Sequence, residues 1–157
     1  MKFHHIVEIN DPLYPLADTL SREQLWNGLM LRARDPVPFV LDLDRCVITR
    51  KGPDSIARRL YFGSAVIEDE VFFEPPARMR TVTRPQPGMP SATLVMTIEE
   101  PDAEHLSLRF DYDTGDSSEA GGAGIDEFYD SYRKSAYVEA DIDTVGRIRQ
   151  LAAEGKL

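Results

Sequence analysis

Apolar and polar positions alternate with period two over residues 2–10: Phe3, His5, Val7 and Ile9 fall on one side, Lys2, His4, Ile6 and Glu8 on the other. Nine residues of this pattern predict a half-buried strand, broken by Asp11-Pro12 and Pro15. The period then changes. Leu25 and Leu29, with Trp26, Met30 and Ala33, recur at three-to-four spacing and predict a helix with one apolar stripe. Ser21 followed three residues later by Gln24 is a capping box that marks its start. Pro36 and Pro38 end it, and residues 38–41 allow a second short helical turn.

From residue 44 to 113 the chain reads as six strands, over about 44–51, 56–62, 66–74, 77–84, 92–99 and 105–113. The breaks between them are short and rich in Gly and Pro. Such connections favour antiparallel hairpins, because parallel neighbours need crossovers of about a dozen residues or more. The last strand is the clearest: Leu106, Leu108, Phe110 and Tyr112 alternate with Ser107, Arg109, Asp111 and Asp113. Leu94, Met96 and Ile98 repeat the pattern. One face is dry and the other wet, as in an antiparallel sheet covered on one side.

A Gly-rich linker spans residues 115–124, after which Ile125 to Ala153 contains no proline and one glycine. A helix of that length would run about 43 Å at ~1.5 Å per residue. Ile125, Phe128, Tyr129, Tyr132 and Ala136 make one stripe, and Ile142, Val145, Ile148, Leu151 and Ala152 continue an apolar face. Asp126, Glu127 and Asp130 suit the positive end of its dipole.

These elements predict an α+β helix-grip fold, a seven-stranded curled antiparallel sheet around one long C-terminal helix, with one or two short helices after the first strand. The long helix must bury its stripe, and the dry face of the sheet is the only large apolar surface available. A sheet this wide twists and curls. The gap between a concave sheet and a convex helix is a natural ligand cavity, expected at about 300–1,000 Å³. Alternate connections of a meander share an end, so Gly63-Ser64, the 85–90 loop and the linker flank its expected entrance.

The 157 residues suit a single domain with a core, and 42% hydrophobic content is ordinary for one. A formal charge of −9, from 27 acidic and 18 basic residues, argues against nucleic acid and anionic lipid as partners. Cys46 is the sole cysteine, which excludes an internal disulfide and fits a reducing compartment. The N-terminus lacks a signal-peptide core, and no apolar run approaches the ~20 residues that span a bilayer. A cytoplasmic protein without membrane insertion is expected. Self-association through an edge strand would give a homodimer.

His5 falls on the apolar face of the first strand, where a histidine could act as a general base. The competing and weightier reading is a core histidine satisfied by backbone or a tyrosine. His4 and His105 stand apart, so no metal site is expected. In the fourth strand Ile67, Asp69, Val71 and Phe73 form the more apolar face, which makes Asp69 an inward acid or polar anchor unless a bulge turns it to solvent. Arg58 and Arg59 are adjacent, so one points inward, where it could hold a ligand carboxylate or pair with an acidic neighbour. Phe128, Tyr129 and Tyr132 could stack on a planar ligand or pack as core. The candidate ligand-binding set is His5, Trp26, Met30, Asp69, Phe73, Met96, Leu108, Phe110, Phe128 and Tyr132. No phosphate or dinucleotide fingerprint or nucleophile elbow occurs, so no cofactor is expected.

Leu-Ser-Arg-Glu-Gln-Leu-Trp-Asn-Gly-Leu (20–29), Arg-Asp-Pro-Val-Pro-Phe-Val (34–40) and Ser-Ala-Tyr-Val-Glu-Ala-Asp-Ile-Asp-Thr-Val (135–145) resemble the AtaL-like family of the START, or birch-pollen-allergen, superfamily, also called SRPBCC. The resemblance covers essentially the whole chain and carries no catalytic motif. It implies binding of a lipid, sterol, polyketide, hormone or quinone, and in some branches aromatase or cyclase activity. Three functions follow as expectations: a binding protein for a hydrophobic small molecule, a polyketide cyclase or aromatase-like enzyme, and a protein-interaction module.

Overall fold

The computed structural model describes residues 1–14, 18–115 and 123–157, with side chains of the last helix from residue 128 onward. Pro15, linker residues 116–122 and the side chains of Ile125, Asp126 and Glu127 lie outside the described residues.

Seven strands form one antiparallel sheet: β1 (Lys2–Asn10), β2 (Arg45–Lys51), β3 (Ser55–Phe62), β4 (Ala65–Glu74), β5 (Arg78–Thr83), β6 (Ala92–Glu99) and β7 (Leu106–Thr114). Their order is β1-β7-β6-β5-β4-β3-β2, a meander from β2 to β7 with β1 added beside β7. Helix α1 (Arg22–Arg34) crosses from the β1 edge towards β2, and α2 (Ala123–Ala153) closes the chain.

The capping box at α1 is present in both directions: the Gln24 amide donates to Ser21 Oγ, and the Ser21 amide donates to Gln24 Oε1. One helix follows β1, not two. Residues 36–40 make a single turn, in which the Phe39 and Val40 amides donate to the Pro36 carbonyl, and the chain leaves without continuing it.

The inner face of the sheet is dry at one end and partly open at the other. Phe73, Met79, Met96, Ile98, Leu108 and Phe110 are buried, roofed by Leu25 and Leu29 of α1 and Val145 and Ile148 of α2. Towards the far ends of the same strands, Ile67, Thr81, Thr83, Leu94 and Tyr112 keep part of their surface exposed. These residues share the inner face by register: Tyr112 lies opposite Leu94, Leu94 opposite Thr81, and Thr83 opposite Asp69. The open end is the one flanked by Gly63-Ser64, the 85–90 loop and Gly115. Gln86 donates there to the Val66 carbonyl, and the Gly115 amide donates to Ser91. A side chain on Gly115 would meet Pro90 at 2.6 Å.

The two helices meet at Gly28, where an added Cβ would stand 2.8 Å from the Ile148 side chain. Arg149 ties the C-terminal part of α2 to the end of β1 by donating to the Ile9 and Asp18 carbonyls. Among the described residues no helix is long and apolar enough to cross a membrane.

Candidate functional site

Two polar groups are built into the inner face where the dry floor gives way to the open mouth. In the first, His5 of β1 points inward, sandwiched between Phe3 and Phe110 at ring separations of 5.5 and 5.1 Å. Its Nε2 lies 2.6 Å from Oδ2 of Asp141, at mid-helix on α2. Tyr112 of β7 donates its hydroxyl to the same carboxylate, 2.8 Å from each oxygen, and stacks on Tyr137 one helical turn earlier. Burial pushes the Asp141 carboxyl above the usual carboxylate range, against the opposing pull of the His5 and Tyr112 hydrogen bonds. Burial, and then the neighbouring Asp141 charge, push the Tyr112 phenol far up, so it is a hydrogen-bond donor at any physiological pH.

In the second group, Arg58 of β3 and Asp69 of β4 face each other in register. The guanidinium donates bidentately to the carboxylate at 2.9 and 2.6 Å, and both residues are almost wholly buried, at 7% and 4% exposure. The remaining arm of Arg58 donates to the Ala33 carbonyl at 2.9 Å, which satisfies the C-terminal end of α1.

Arg32, in the last turn of α1, belongs to neither pairing. It occupies the inward stripe of the helix, three residues after Leu29 and four after Gly28. Its Nε is buried with no hydrogen-bond partner, and among the described residues no hydrogen bond or ion pair reaches its side chain. Burial, followed by the like charge of Arg58, lowers its pKa; Tyr112, Asp141 and Asp69 act in the opposite direction. Arg32 therefore feels both groups and bonds to neither. Among the described residues no cluster of His, Cys, Asp or Glu is arranged to hold a metal.

The residues expected from sequence fall into four places. His5 enters the polar site. Its partner is a carboxylate shared with a tyrosine, where backbone or a tyrosine was expected. Asp69 points inward with unbroken pairing on both sides, so the bulge expected to turn it to solvent is absent. It is bound to Arg58, which removes it as a free anchor. Phe73, Met96, Leu108 and Phe110 are the packed floor, with Trp26 and Met30 half-buried against it. Phe128 and Tyr132 are corrections: each is 69% exposed, so they line no interior surface. Tyr129 and Ile142 are exposed as well. Sequence reasoning missed Asp141, Arg32 and the role of Tyr112. The available signal was a charged residue in an apolar slot: Asp141 leads Val145 and Ile148 at helical spacing, as Arg32 follows Leu25 and Leu29.

Two clefts formed by described residues lie away from this site. One of about 730 Å³ separates the 37–43 turn from α2, and one of about 550 Å³ sits beside Asn10, Leu20 and Glu104. Neither is lined by His5, Arg32, Tyr112 or Asp141.

A curled seven-stranded sheet closed on a long C-terminal helix, with polar groups on its inner face, defines a START-like helix-grip protein. Solved structures agree on the fold. The Zhui aromatase/cyclase from Streptomyces sp. R1128 superposes with a TM-score of 0.65 at 15% identity, over 97% of this chain and 95% of its own. The di-domain ARO/CYC StfQ from the steffimycin biosynthetic pathway gives 0.72 at 12% identity, over 98% of this chain and 51% of its own, so this chain spans about half of it. A START superfamily protein from Mycobacterium smegmatis gives 0.60 at 12% identity, over 96% and 98%. No curated protein matches the chain. Residues 7–155 match the family described as AtaL, acetylaranotin biosynthesis cluster protein L, and the chain belongs to that family.

Proposed function

We propose that residues 1–157 act as one ligand-binding domain, which takes a hydrophobic small molecule into the open half of the sheet's concave face. The observation that carries this reading is the gradient along the inner face. A core built only for stability would be dry throughout, whereas here Ile67, Thr81, Thr83, Leu94 and Tyr112 leave a part-exposed, mostly apolar mouth above a sealed floor. Fixed polar groups at the base of a mainly apolar recess are the usual design of a small-molecule site. The fold shared with aromatase/cyclases and START proteins supports the reading at the level of architecture. The sole cysteine supports a reducing, cytoplasmic setting.

Native mass spectrometry of gently purified protein tests it. A retained organic molecule that is lost on mild denaturation is expected. Protein that emerges bare, and takes up neither lipid extract nor the fluorescent probe 1-anilinonaphthalene-8-sulfonate, would refute it.

A second reading, a polyketide cyclase or aromatase-like enzyme, is favoured by the His5–Asp141–Tyr112 arrangement. The carboxylate holds one imidazole nitrogen, and the aromatic sandwich fixes the ring plane, leaving the other nitrogen to exchange a proton with a bound ketone or enol. Under that reading, His5→Ala abolishes turnover of a poly-β-ketone substrate while retaining its binding. Loss of both together would leave only the binding role.

A further inference from the structure

We propose that Arg32 is the anchor for an oxyanion on the ligand, so that the molecule bound is an organic acid: a carboxylate or acidic enol on a planar apolar body. The proposal rests on the binding reading above and specifies its chemistry.

The Nε of Arg32 lacks a partner. A guanidinium presents five N–H donors and no acceptor, and a buried one without partners is costly enough that proteins normally pair it. Among the described residues, the two acids whose charge Arg32 feels are already engaged. Both oxygens of Asp69 hold Arg58. Both oxygens of Asp141 accept from Tyr112, and one also meets His5. The Ala33 carbonyl takes Arg58, and the Leu31 carbonyl takes the Asp35 amide, so the end of α1 offers nothing further on those two groups. Arg32 is therefore a half-buried positive fork whose Nε is sealed from water without a partner, set between two satisfied acids at the edge of the mouth. An incoming oxyanion completes it bidentately, at the charge-assisted strength such pairs have. An apolar body above it would lie along Leu94 and Tyr112.

The surrounding charge makes the inference selective. At −9 the chain as a whole repels anions, so a preference for an acid over its neutral isostere must come from a local positive group. A contact shielded from water also resists salt, which at 0.1 M largely screens exposed charges more than ~10 Å apart.

The test compares 2-naphthoate with 2-naphthamide, which share size and planarity, by titration calorimetry at 0.1 and 0.5 M salt. Wild-type protein is expected to bind the naphthoate at least ~10-fold more tightly at both salt concentrations. Arg32→Met should erase that preference, weakening the naphthoate more than the naphthamide. Arg32→Lys, which keeps the charge without the fork, should fall between them. Circular dichroism and melting confirm that each variant is folded, and the Lys variant carries the test if the Met variant is not. Equal affinity of wild type for both probes, or a naphthoate preference unchanged in Arg32→Met, would overturn the proposal and leave the binding reading standing. Binding of neither probe would count against the binding reading itself, and the proposal would fall with it.

Discussion

Removing the Asp69 charge separates a structural latch from a ligand anchor. Asp69→Asn keeps the shape and one acceptor but leaves the Arg58 guanidinium buried, at 7% exposure, without its counter-charge. Of the two hydrogen bonds, at 2.9 and 2.6 Å, one loses its ionic character and the other is lost, because an amide NH2 cannot accept from the guanidinium. Breaking a buried pair from one side costs about 3–5 kcal/mol, because the surviving charge has already lost its water. For a chain of this size about 1 kcal/mol moves the melting temperature by roughly 2–4 °C, so the variant should melt about 6–20 °C lower. The strain should reach α1, since Arg58 also holds the Ala33 carbonyl. Replacing both partners, Arg58→Met with Asp69→Leu, removes both charges and should recover most of the loss. Urea and thermal melts of wild type, Asp69→Asn, the double variant and its two single changes decide it. The reasoning is refuted if Asp69→Asn costs under ~1 kcal/mol, or if the double variant is as unstable as the two single changes summed. An Asp69→Asn protein of normal stability that fails to bind ligand would restore Asp69 as an anchor.

Gly28→Ala should destabilise by about 1–3 kcal/mol despite the better helix propensity of alanine, because its methyl would meet the fully buried Ile148 at 2.8 Å; a partial rescue by Ile148→Val, seen in urea melts, confirms the contact, and a stabilised Gly28→Ala refutes it. Asp141 holds its proton more tightly folded than unfolded, since burial raises its pKa. Its contribution to stability therefore falls as pH rises from the unfolded carboxylate range, ~4, through the raised folded value. Urea midpoints should accordingly show wild type losing ground to Asp141→Asn across that window, and a constant difference with pH would contradict the assignment. The hydrogen bond to Glu8 raises the pKa of His105. Its NMR titration should sit above the ordinary histidine value in wild type and return towards it in Glu8→Gln, while an unmoved titration would mean the pair is absent in solution.

The helix start at Ser21 was legible because a capping box is local chemistry, complete within four residues. Strand limits were legible because alternation and Gly/Pro breaks are also local, and they place β1 at residues 2–10 as observed. Strand parity pointed Asp69 inward, and one of Arg58 and Arg59 as well, without choosing between the two. The pairing of Arg58 with Asp69 depends on the β3–β4 register, which no single strand displays. The aromatic stripe of α2 misled for a related reason. Phe128, Tyr129 and Tyr132 have helical spacing, but the described contacts of α2 with the sheet and β1 begin further along, at Lys134 over Phe3 and Tyr137 against Tyr112. Periodicity identifies a face and is silent on whether another element reaches it. Asp141 and Arg32 each sit at a helical position that apolar periodicity alone does not mark, and a charge inside such an apolar slot is the sign of a built polar site.

On this reading a small apolar molecule enters between the open half of the sheet and α2. Methyl-labelled NMR spectra of the Ile, Leu and Thr side chains, recorded as 2-naphthoate is titrated in, test it most directly. Saturable shifts are expected at Ile67, Thr81, Thr83 and Leu94 of the mouth, with Ile6 on the outer face unmoved. Shifts confined to the 37–43 turn and Ile142, or spread over the outer face of the sheet, would contradict it.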